Sequence, residues 1–399
     1  MSTRYNAIDR WSVYSAAGML AFSAVLMFAI TPIVVSTLQR RYGFGEGRLG
    51  DILACYFAGV VAVSLTASAW VRRYDWRVIA TIGQAIAAGS LFATMAAHTF
   101  AELAVLLAIA GIGSGITFAL LLTLLGDSAN PDRAFAINLF LQATPATLMV
   151  LLLPMAFAND ASDMRRLALV MGGTALVTSL GVPWLPRSGT KGCDGGRPQG
   201  RSTLWLPLAG LLATFLFATS YTAPWTFIEQ AAAGKGLDPV AIGICLAGAQ
   251  FASILGSIAA AAISNRYGEL LPVCVGVSVY LVGLYCLDIF QARATFALGA
   301  FLFFLPSNFL LAYSLGLTAE VDVGGRIIGL STASMLGPSL VAPAIAGRLY
   351  ERYGFASNLL MGLIGVLAGV MLYASLLLRA RRRQAGPRPG ALAPDDSPA

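Results

Sequence analysis

The sequence has very little charge and almost no histidine. Of its 399 residues, 11% are charged and one is a histidine, whereas 57% are hydrophobic. Soluble domains carry roughly 25% charged residues, so this chain does not have enough charge to cover a water-exposed globule. We therefore expect lipid to surround much of the protein.

The sequence also lacks the residue clusters that metal sites and polar catalytic centres need. Its five cysteines form no close pair and show no ligand spacing, so we expect neither disulfides nor a metal site. A membrane enzyme would need His, Asp and Glu residues grouped at one interface, whereas the single histidine, His98, stands in a short predicted loop and the acids are scattered along the chain. No ATP site is visible, because the glycine-rich stretch 111–119 has no lysine. These absences argue against an enzyme and against a bound cofactor.

Long apolar stretches recur along the whole chain. Each is long enough to cross a bilayer as a helix, which takes about 20 residues, and none shows the alternating pattern of a membrane barrel. Helices satisfy every backbone amide internally, as hydrocarbon requires. The pattern predicts an all-α membrane protein with twelve transmembrane helices. They are expected at about 13–36, 49–70, 77–97, 102–125, 134–157, 167–185, 204–228, 239–263, 269–290, 294–317, 326–347 and 357–379.

Lysine and arginine are distributed unevenly between the two sets of loops. With a cytoplasmic N-terminus, 17 of the 26 basic residues lie on the cytoplasmic side and 9 on the other, in agreement with the positive-inside rule. The first apolar run is long for the core of a signal peptide, so we expect it to be retained as a helix. These features predict a protein of the inner (plasma) membrane with both termini in the cytoplasm. The net charge of +7 then reflects contact with anionic membrane lipids rather than binding to nucleic acid.

A short polar turn occurs twice, 193 positions apart, as "VRRYDWRVIA" from Val71 and "SNRYGELLPV" from Ser264. The same offset aligns scarcer residues over a long stretch. The aligned pairs include Gly50 with Gly243, Arg73 with Arg266, Asp127 with Glu320, and Pro145 with Pro338. One register held over about 100 residues predicts two parallel copies of a six-helix unit.

Composition places a linker between the two copies. Residues 186–203 read "PRSGTKGCDGGRPQGRST", which is rich in glycine and basic residues and nearly free of apolar ones. We therefore expect an N-terminal six-helix bundle at 1–185, a cytoplasmic linker at 186–203, and a C-terminal six-helix bundle at 204–380. Residues 381–399 are expected to form a disordered, basic and proline-rich tail.

This organisation resembles the major facilitator superfamily of transporters. The motif between helices 2 and 3 of that family contains an Asp-Arg-x-Gly-Arg turn. The second copy here, "AAISNRYGEL", keeps Arg266 but has Asn265 in place of the aspartate. The first copy, "ASAWVRRYDW", keeps Arg73 and Arg77 but has Arg72 in that place. The stretch "STASMLGPSLVAPAIAGRLYERYGF" also resembles helix 11 of the family.

The resemblance implies that the motif latches the cytoplasmic side when the cavity opens outward. The latch residues would be Arg73, Asp127, Arg266 and Glu320. The alternative is that these are solvated loop charges that only follow the topology rules. Asn265 and Arg72 imply a latch that is weaker than the family pattern or is wired differently.

The predicted spans carry no charged residue deep inside them, so uncharged polar and aromatic residues are the candidates for binding a substrate. The resemblance implies that helices 1, 4, 7 and 10 line a central cavity. The candidates are Thr31, Asn138, Gln142, Tyr221, Trp225, Gln250, Asn308 and Tyr313. The amides can equally make hydrogen bonds between helices, and the aromatic side chains can equally belong to an interfacial belt.

The sequence therefore predicts a secondary transporter or facilitator that moves a small neutral or amphipathic organic solute by alternating access. Multidrug-type efflux of hydrophobic compounds and a transporter-like receptor or chaperone without flux are the alternatives. Because the core has no acid, any proton coupling is expected at a peripheral carboxyl, for which Glu229 and Asp51 are the candidates. The expected partners are the solute, protons and membrane lipids, and the expected state is a monomer.

Overall fold

The structure is a computed structural model that describes residues 7–129, 131–157, 163–189, 205–263, 268, 270–321 and 331–384. These residues form thirteen α-helices. They are α1 (Trp11–Ala29), α2 (Thr31–Tyr42), α3 (Glu46–Trp70), α4 (Trp76–Ala93), α5 (Phe100–Gly126), α6 (Pro131–Ala156), α7 (Asp163–Ser179), α8 (Trp205–Gly234), α9 (Pro239–Ile263), α10 (Leu270–Ile289), α11 (Arg293–Val321), α12 (Ser331–Tyr353) and α13 (Phe355–Gln384). The prediction of an all-α membrane fold is confirmed.

The first crossing is interrupted, where the sequence predicted one helix over 13–36. α1 ends at Ala29 and α2 begins at Thr31, with Ile30 between them. Pro32 lies in the first turn of α2, where its missing N–H is tolerated, whereas a proline inside a continuous helix would remove a hydrogen bond and clash with the preceding turn. The break places the carbonyls of Phe28 and Ala29 within reach of side chains from other helices.

Eleven of the described helices are long and apolar enough to cross a membrane. α2 completes the crossing that α1 begins. α12 is not among the eleven; it contains Pro338 and Pro343 and has a basic residue in its last turn, which lowers its hydropathy. With α1 and α2 taken as one crossing and α12 included, the described residues form the twelve helices that the sequence predicts.

The contacts between the two halves follow the internal repeat. α3 packs on α12, and α9 packs on α6. A Cβ atom at Gly50 in α3 would collide with the carbonyl of Pro343 in α12, and one at Gly243 in α9 would collide with the ring of Pro154 in α6. Gly50 and Gly243 are the pair that the offset of 193 aligns, so equivalent glycines allow the closest approach at two equivalent places.

The predicted domain boundaries are only partly covered by the described residues. α7 ends at Ser179 rather than near 185, and a short 3₁₀ turn follows at Val182–Trp184. The start of the linker stays on the first half, because the backbone N–H of Trp76 donates to the carbonyl of Arg187 at 2.9 Å. Residues 190–203 and 385–399 lie outside the described residues, and α13 continues to Gln384, four residues beyond the predicted end of the second bundle. The division into two bundles and a linker remains a prediction.

We predict that Gly50→Ala weakens the contact between α3 and α12. The added methyl group meets backbone rather than a flexible side chain, so the two helices must separate for it to fit. Cysteines introduced near the start of α3 should then become more accessible to a thiol reagent. Gly248→Ala is the control, since a Cβ atom at Gly248 meets nothing within 4 Å. Equal accessibility in the two variants would contradict a close contact here.

Candidate functional site

A cavity of about 200 Å³ lies between the two halves. Eight helices line it: α1, α3, α5 and α6 from the first half, and α8, α9, α11 and α12 from the second. Four predicted residues are on its wall, and each lies near the middle of its helix: Gln142, Tyr221, Gln250 and Asn308. The lining therefore includes helices beyond the four that the family resemblance implies.

The other four predicted residues lie outside the cavity wall. The hydroxyl of Thr31 donates to the carbonyl of Met27 at 2.7 Å within the first crossing. Trp225 is buried behind the wall, and the ring of Tyr313 packs at 4.9 Å from that of Phe309. Asn138 is also buried, and its Oδ1 has no hydrogen-bond partner among the described residues. Their roles in binding stay predictions.

An aromatic cluster supports the wall around Tyr221. The Tyr221 ring makes edge contacts with Phe28 at 6.4 Å and with Phe304 at 6.1 Å between centroids. Trp225 stacks on Phe304 at 4.4 Å. Such pairs contribute about 0.5–1.5 kcal/mol each beyond their buried area. Phe28 and Phe304 were not predicted, because a phenylalanine in an apolar span gives no signal of its own.

The cavity wall is built from positions that the internal repeat relates. Fourteen of its 22 lining residues form seven pairs at the offset of 193. The pairs are Phe28 with Tyr221, Phe57 with Gln250, Val60 with Ser253, Phe118 with Leu311, Gln142 with Met335, Ala143 with Leu336, and Ala146 with Ser339. This offset could have identified Phe28 from Tyr221 before the structure was known.

The two halves contribute different chemistry at these equivalent positions. In four pairs the second half supplies a polar side chain where the first half supplies an apolar one. Gln142 with Met335 is the reverse case. Among the described residues, the lining includes no charged side chain. The cavity is thus uncharged, with most of its polar groups on the second half.

The halves also meet through polar contacts at one end of the bundle. We call this the contact end and define it by Gly47, Asp51, Arg348 and Glu351. Arg348 donates to both carboxylate oxygens of Asp51, at 2.9 and 3.0 Å. The backbone N–H of Gly47 donates to Oε1 of Glu351 at 2.9 Å. Both contacts join α3 to α12 across the halves.

Side-chain amides extend the contact end to α2 and α8. Gln39 of α2 donates to Glu46 of α3 at 3.1 Å and accepts from Gln230 of α8.

Asp51, one of the two candidates for proton coupling, is paired with Arg348 at the contact end.

Glu229 is buried in α8, between Tyr221 and the contact end, and it is 8% exposed. Its Oε2 has no hydrogen-bond partner among the described residues. Arg40 of α2 is the charged group that acts on it. The hydroxyl of Ser36, also on α2, acts on the same carboxyl as a hydrogen-bond donor.

The ion pair at the other end of the first half involves a different arginine from the one predicted. Asp127 at the end of α5 accepts from Arg72, at 2.8 and 3.0 Å, and its side chain is 1% exposed. Arg73 is exposed on the turn between α3 and α4. Arg72 stands where the family has an aspartate, so the basic side chain at this position is the one that reaches the acid. In the second copy, Arg266 and the side chain of Glu320 lie outside the described residues.

Comparisons with known proteins agree with this geometry. Residues 16–208 match the model of the Major Facilitator Superfamily. The structure is similar to that of the nucleoside transporter NupG, with a TM-score of 0.65, 13% identity, and coverage of 92% of this chain and 98% of that one. It is also similar to a D-xylose-proton symporter, with a TM-score of 0.72, 14% identity, and coverage of 91% and 96%. None of the curated proteins matches the chain by sequence.

The fold and the cavity define a multi-pass membrane protein built from helices. Over residues 16–208, just under half of its length, the chain matches the Major Facilitator Superfamily, a family of secondary transporters. Members of this family bind small-molecule substrates, are often proton-coupled and are typically not enzymes.

We predict that breaking the Asp51–Arg348 pair shifts the protein away from the conformation described here. The pair is partly exposed, and exposed pairs contribute about 0–1 kcal/mol, so Asp51→Asn or Arg348→Gln should change the population ratio by up to about fivefold. Distances between spin labels at the ends of α3 and α12 measure the shift. Reversing both charges should restore the original distribution. Failure of the double variant to restore it would show that the pair does not hold the halves together.

Proposed function

We propose that this transporter moves a small, uncharged or amphipathic organic solute across the inner membrane by alternating access, with both termini in the cytoplasm. The observation that carries the proposal is the uncharged cavity at mid-helix depth, lined by repeat-related residues from both halves. In transporters built from repeats, substrates bind near the bilayer midplane at the repeat interface. A second group of contacts at the contact end supplies the barrier that such a mechanism needs on one side.

The conformation is proposed to be inward-facing. The charge distribution of the loops places the start of α3 and the end of α12 on the outer side of the membrane. These are the segments that meet at the contact end. The outer side is then closed, and the cavity is reached from the cytoplasm.

Cavity size supports a small solute over multidrug-type efflux. Pockets for drug-sized ligands enclose roughly 300–1,000 Å³, whereas this cavity has about 200 Å³. The absence of charged side chains from the described lining disfavours an ionic substrate, because an unpaired charge is costly to remove from water.

Transport rather than receptor function is tested by counterflow in proteoliposomes. Vesicles loaded with an unlabelled solute should accumulate the labelled form transiently if the protein exchanges it, and a panel of small uncharged solutes identifies the substrate. Gln250→Met should lower this exchange because it removes a polar group from the wall. Gln84→Met is the matched control, since Gln84 is a buried amide that donates to Ser23 and does not line the cavity. Binding without exchange would identify a receptor.

For proton coupling we favour Glu229 over Asp51. A carboxyl group that is shielded in one conformation and exposed in the other can bind a proton in the first and release it in the second. Glu229 is buried with an unpartnered oxygen, whereas Asp51 is committed to Arg348 at the contact end. A structurally similar protein is a proton symporter, which makes the same coupling reasonable here.

We predict that Glu229→Gln abolishes accumulation driven by a pH gradient and preserves exchange of the solute at equal pH. The amide keeps the shape of the side chain but cannot carry a proton between the two sides. Uptake after a pH jump, compared with counterflow in the same vesicles, measures both properties. Asp51→Asn, assayed in parallel, should retain pH-driven uptake. Unchanged accumulation in Glu229→Gln would exclude Glu229, and the loss of accumulation in Asp51→Asn alone would assign the coupling to Asp51.

A further inference from the structure

We propose that the solute is an uncharged molecule, about one aromatic ring in size, that donates hydrogen bonds to the second half and rests its apolar body against the first. The inference depends on the proposed function, because it takes the cavity as the solute site. It goes further by assigning the direction of the hydrogen bonds. That direction follows from which polar atoms of the wall are already used by the protein.

The amides of the second half present acceptors to the cavity. Nε2 of Gln250 donates to the carbonyl of Ala29 at 3.2 Å, and Nδ2 of Asn308 makes a longer contact of 3.5 Å with the carbonyl of Ser253. The contact of Gln250 sets the orientation of its amide, because a carbonyl oxygen requires an N–H opposite it, and the longer contact of Asn308 favours the same orientation. The oxygens Oε1 of Gln250 and Oδ1 of Asn308 have no partner among the described residues. They therefore remain available to accept from a solute.

Two of the three serine hydroxyls on this side are also left as acceptors, whereas that of Ser339 makes no hydrogen bond to a described residue and can donate or accept. Ser253 donates its single proton to the carbonyl of Gln250 at 2.8 Å, and Ser307 donates to the carbonyl of Phe304 at 2.6 Å. A hydroxyl that has used its proton offers only lone pairs to a ligand. Tyr221 is 8% exposed, and its hydroxyl has no partner among the described residues, so it can donate or accept. Most polar atoms on the second half thus call for a donor on the solute.

The first half presents mainly apolar surface to the same space. Phe28, Phe57 and Val60 occupy the positions equivalent to Tyr221, Gln250 and Ser253. The polar side chains on this half are Tyr56, whose hydroxyl is bonded to Ser114, and Gln142, whose amide no hydrogen bond to another described residue fixes. Gln142 can therefore turn either end of its amide toward a polar group of the solute. The wall as a whole fits a solute with one apolar and one donor-bearing side.

The size of the cavity and the absence of charge on its described wall restrict the chemical class of the solute further. An apolar cavity of about 150 Å³ holds one benzene molecule, so the 200 Å³ found here accommodates a ring with a small substituent. Six aromatic side chains stand on the wall, from Phe28, Tyr56, Phe57, Phe118, Tyr221 and Phe304. A cation would meet favourable ring faces, but it would have no carboxylate on the described wall to compensate for its lost hydration. An uncharged ring with N–H or O–H donors satisfies all of these conditions.

The test compares benzamide with N,N-dimethylbenzamide. The two share the ring and the carbonyl acceptor, and only benzamide has N–H donors. The full-length protein is placed in nanodiscs, and binding in the cavity is measured by quenching of the fluorescence of Trp225, which lies behind the wall. The Trp225→Phe variant identifies the part of the fluorescence that comes from Trp225. Benzamide should bind about tenfold more tightly, since one or two hydrogen bonds are at stake. Phenol and anisole form a second pair with the same logic for O–H donors.

Variants test whether side chains of the second half cause the difference in affinity between the two probes. Gln250→Met and Asn308→Leu should each reduce the preference for the donor-bearing probe, because the acceptor is removed while the volume is roughly kept. Gln84→Met should retain the full preference, since its amide bonds to Ser23 away from the cavity. A preference that falls equally in all three variants would reflect a general loss of structure and would count against the assignment.

Three other outcomes overturn the proposal. Equal or tighter binding of the methylated probes would show that the wall does not select donors. Tighter binding of benzylamine than of benzyl alcohol would show that the class is cationic. Failure of every probe to bind would exclude single-ring uncharged solutes. The proposed function is judged separately by counterflow: exchange of some other solute, sensitive to Gln250→Met, would uphold transport through this cavity while the inference about donors fails.

Discussion

The interruption of the first transmembrane crossing is the feature on which the site depends. Pro32 prevents α1 from continuing into α2 as one regular helix. The carbonyls at the break are then used by the second half: Phe28 accepts from Nε1 of Trp225 at 3.3 Å, and Ala29 accepts from Nε2 of Gln250 at 3.2 Å. In a membrane an unsatisfied backbone carbonyl costs several kcal/mol. The two bonds therefore tie the halves together at the level of the cavity and orient the amide of Gln250.

The internal repeat explains both what the halves share and where they differ. Equivalent glycines, Gly50 and Gly243, give equivalent close contacts with the opposite half, so the way the halves meet is symmetric. The cavity wall uses equivalent positions but fills them unequally, with Gln250 opposite Phe57 and Ser253 opposite Val60 in the repeat. A solute with two different sides needs such an asymmetry. In the proposed mechanism the symmetric part would serve the movement of the halves, and the asymmetric part would serve recognition of the solute.

The sequence predicted the features that repeat or that depend on bulk composition. The helices, their number and the candidates Gln142, Tyr221, Gln250 and Asn308 came from apolar run lengths and from polar residues within those runs. The sequence did not predict the break at Ile30, because Pro32 near the end of an apolar run is equally compatible with a kink. The sequence also did not distinguish residues that line the cavity from residues that pack behind its wall. Trp225 lies one turn from Tyr221, and only its packing on Phe304 shows that it stands behind the cavity.

The same reasoning limits what sequence could say about ion pairs. Arg72 and Arg73 are adjacent, and the family pattern favours Arg73, whereas the geometry of the turn brings Arg72 to Asp127. Adjacent residues on a turn point in different directions, so a shift of one position changes the partner without changing the composition. The outcome shows that the charge reversal at position 72 was the informative departure from the family motif.

The bond between Gln250 and Ala29 also connects solute binding to the contact between the halves. A donor from the solute on Oε1 of Gln250 leaves its Nε2 free to keep its bond to Ala29. Hydrogen bonds in a chain polarise one another and become stronger together in a low-dielectric interior. A solute bound as proposed would thus strengthen a bond that the second half makes to the first. Because a ligand can shift a conformational equilibrium only by its difference in affinity for the two states, this shared amide gives the solute a direct way to favour the arrangement in which the halves meet beside the break in the first crossing.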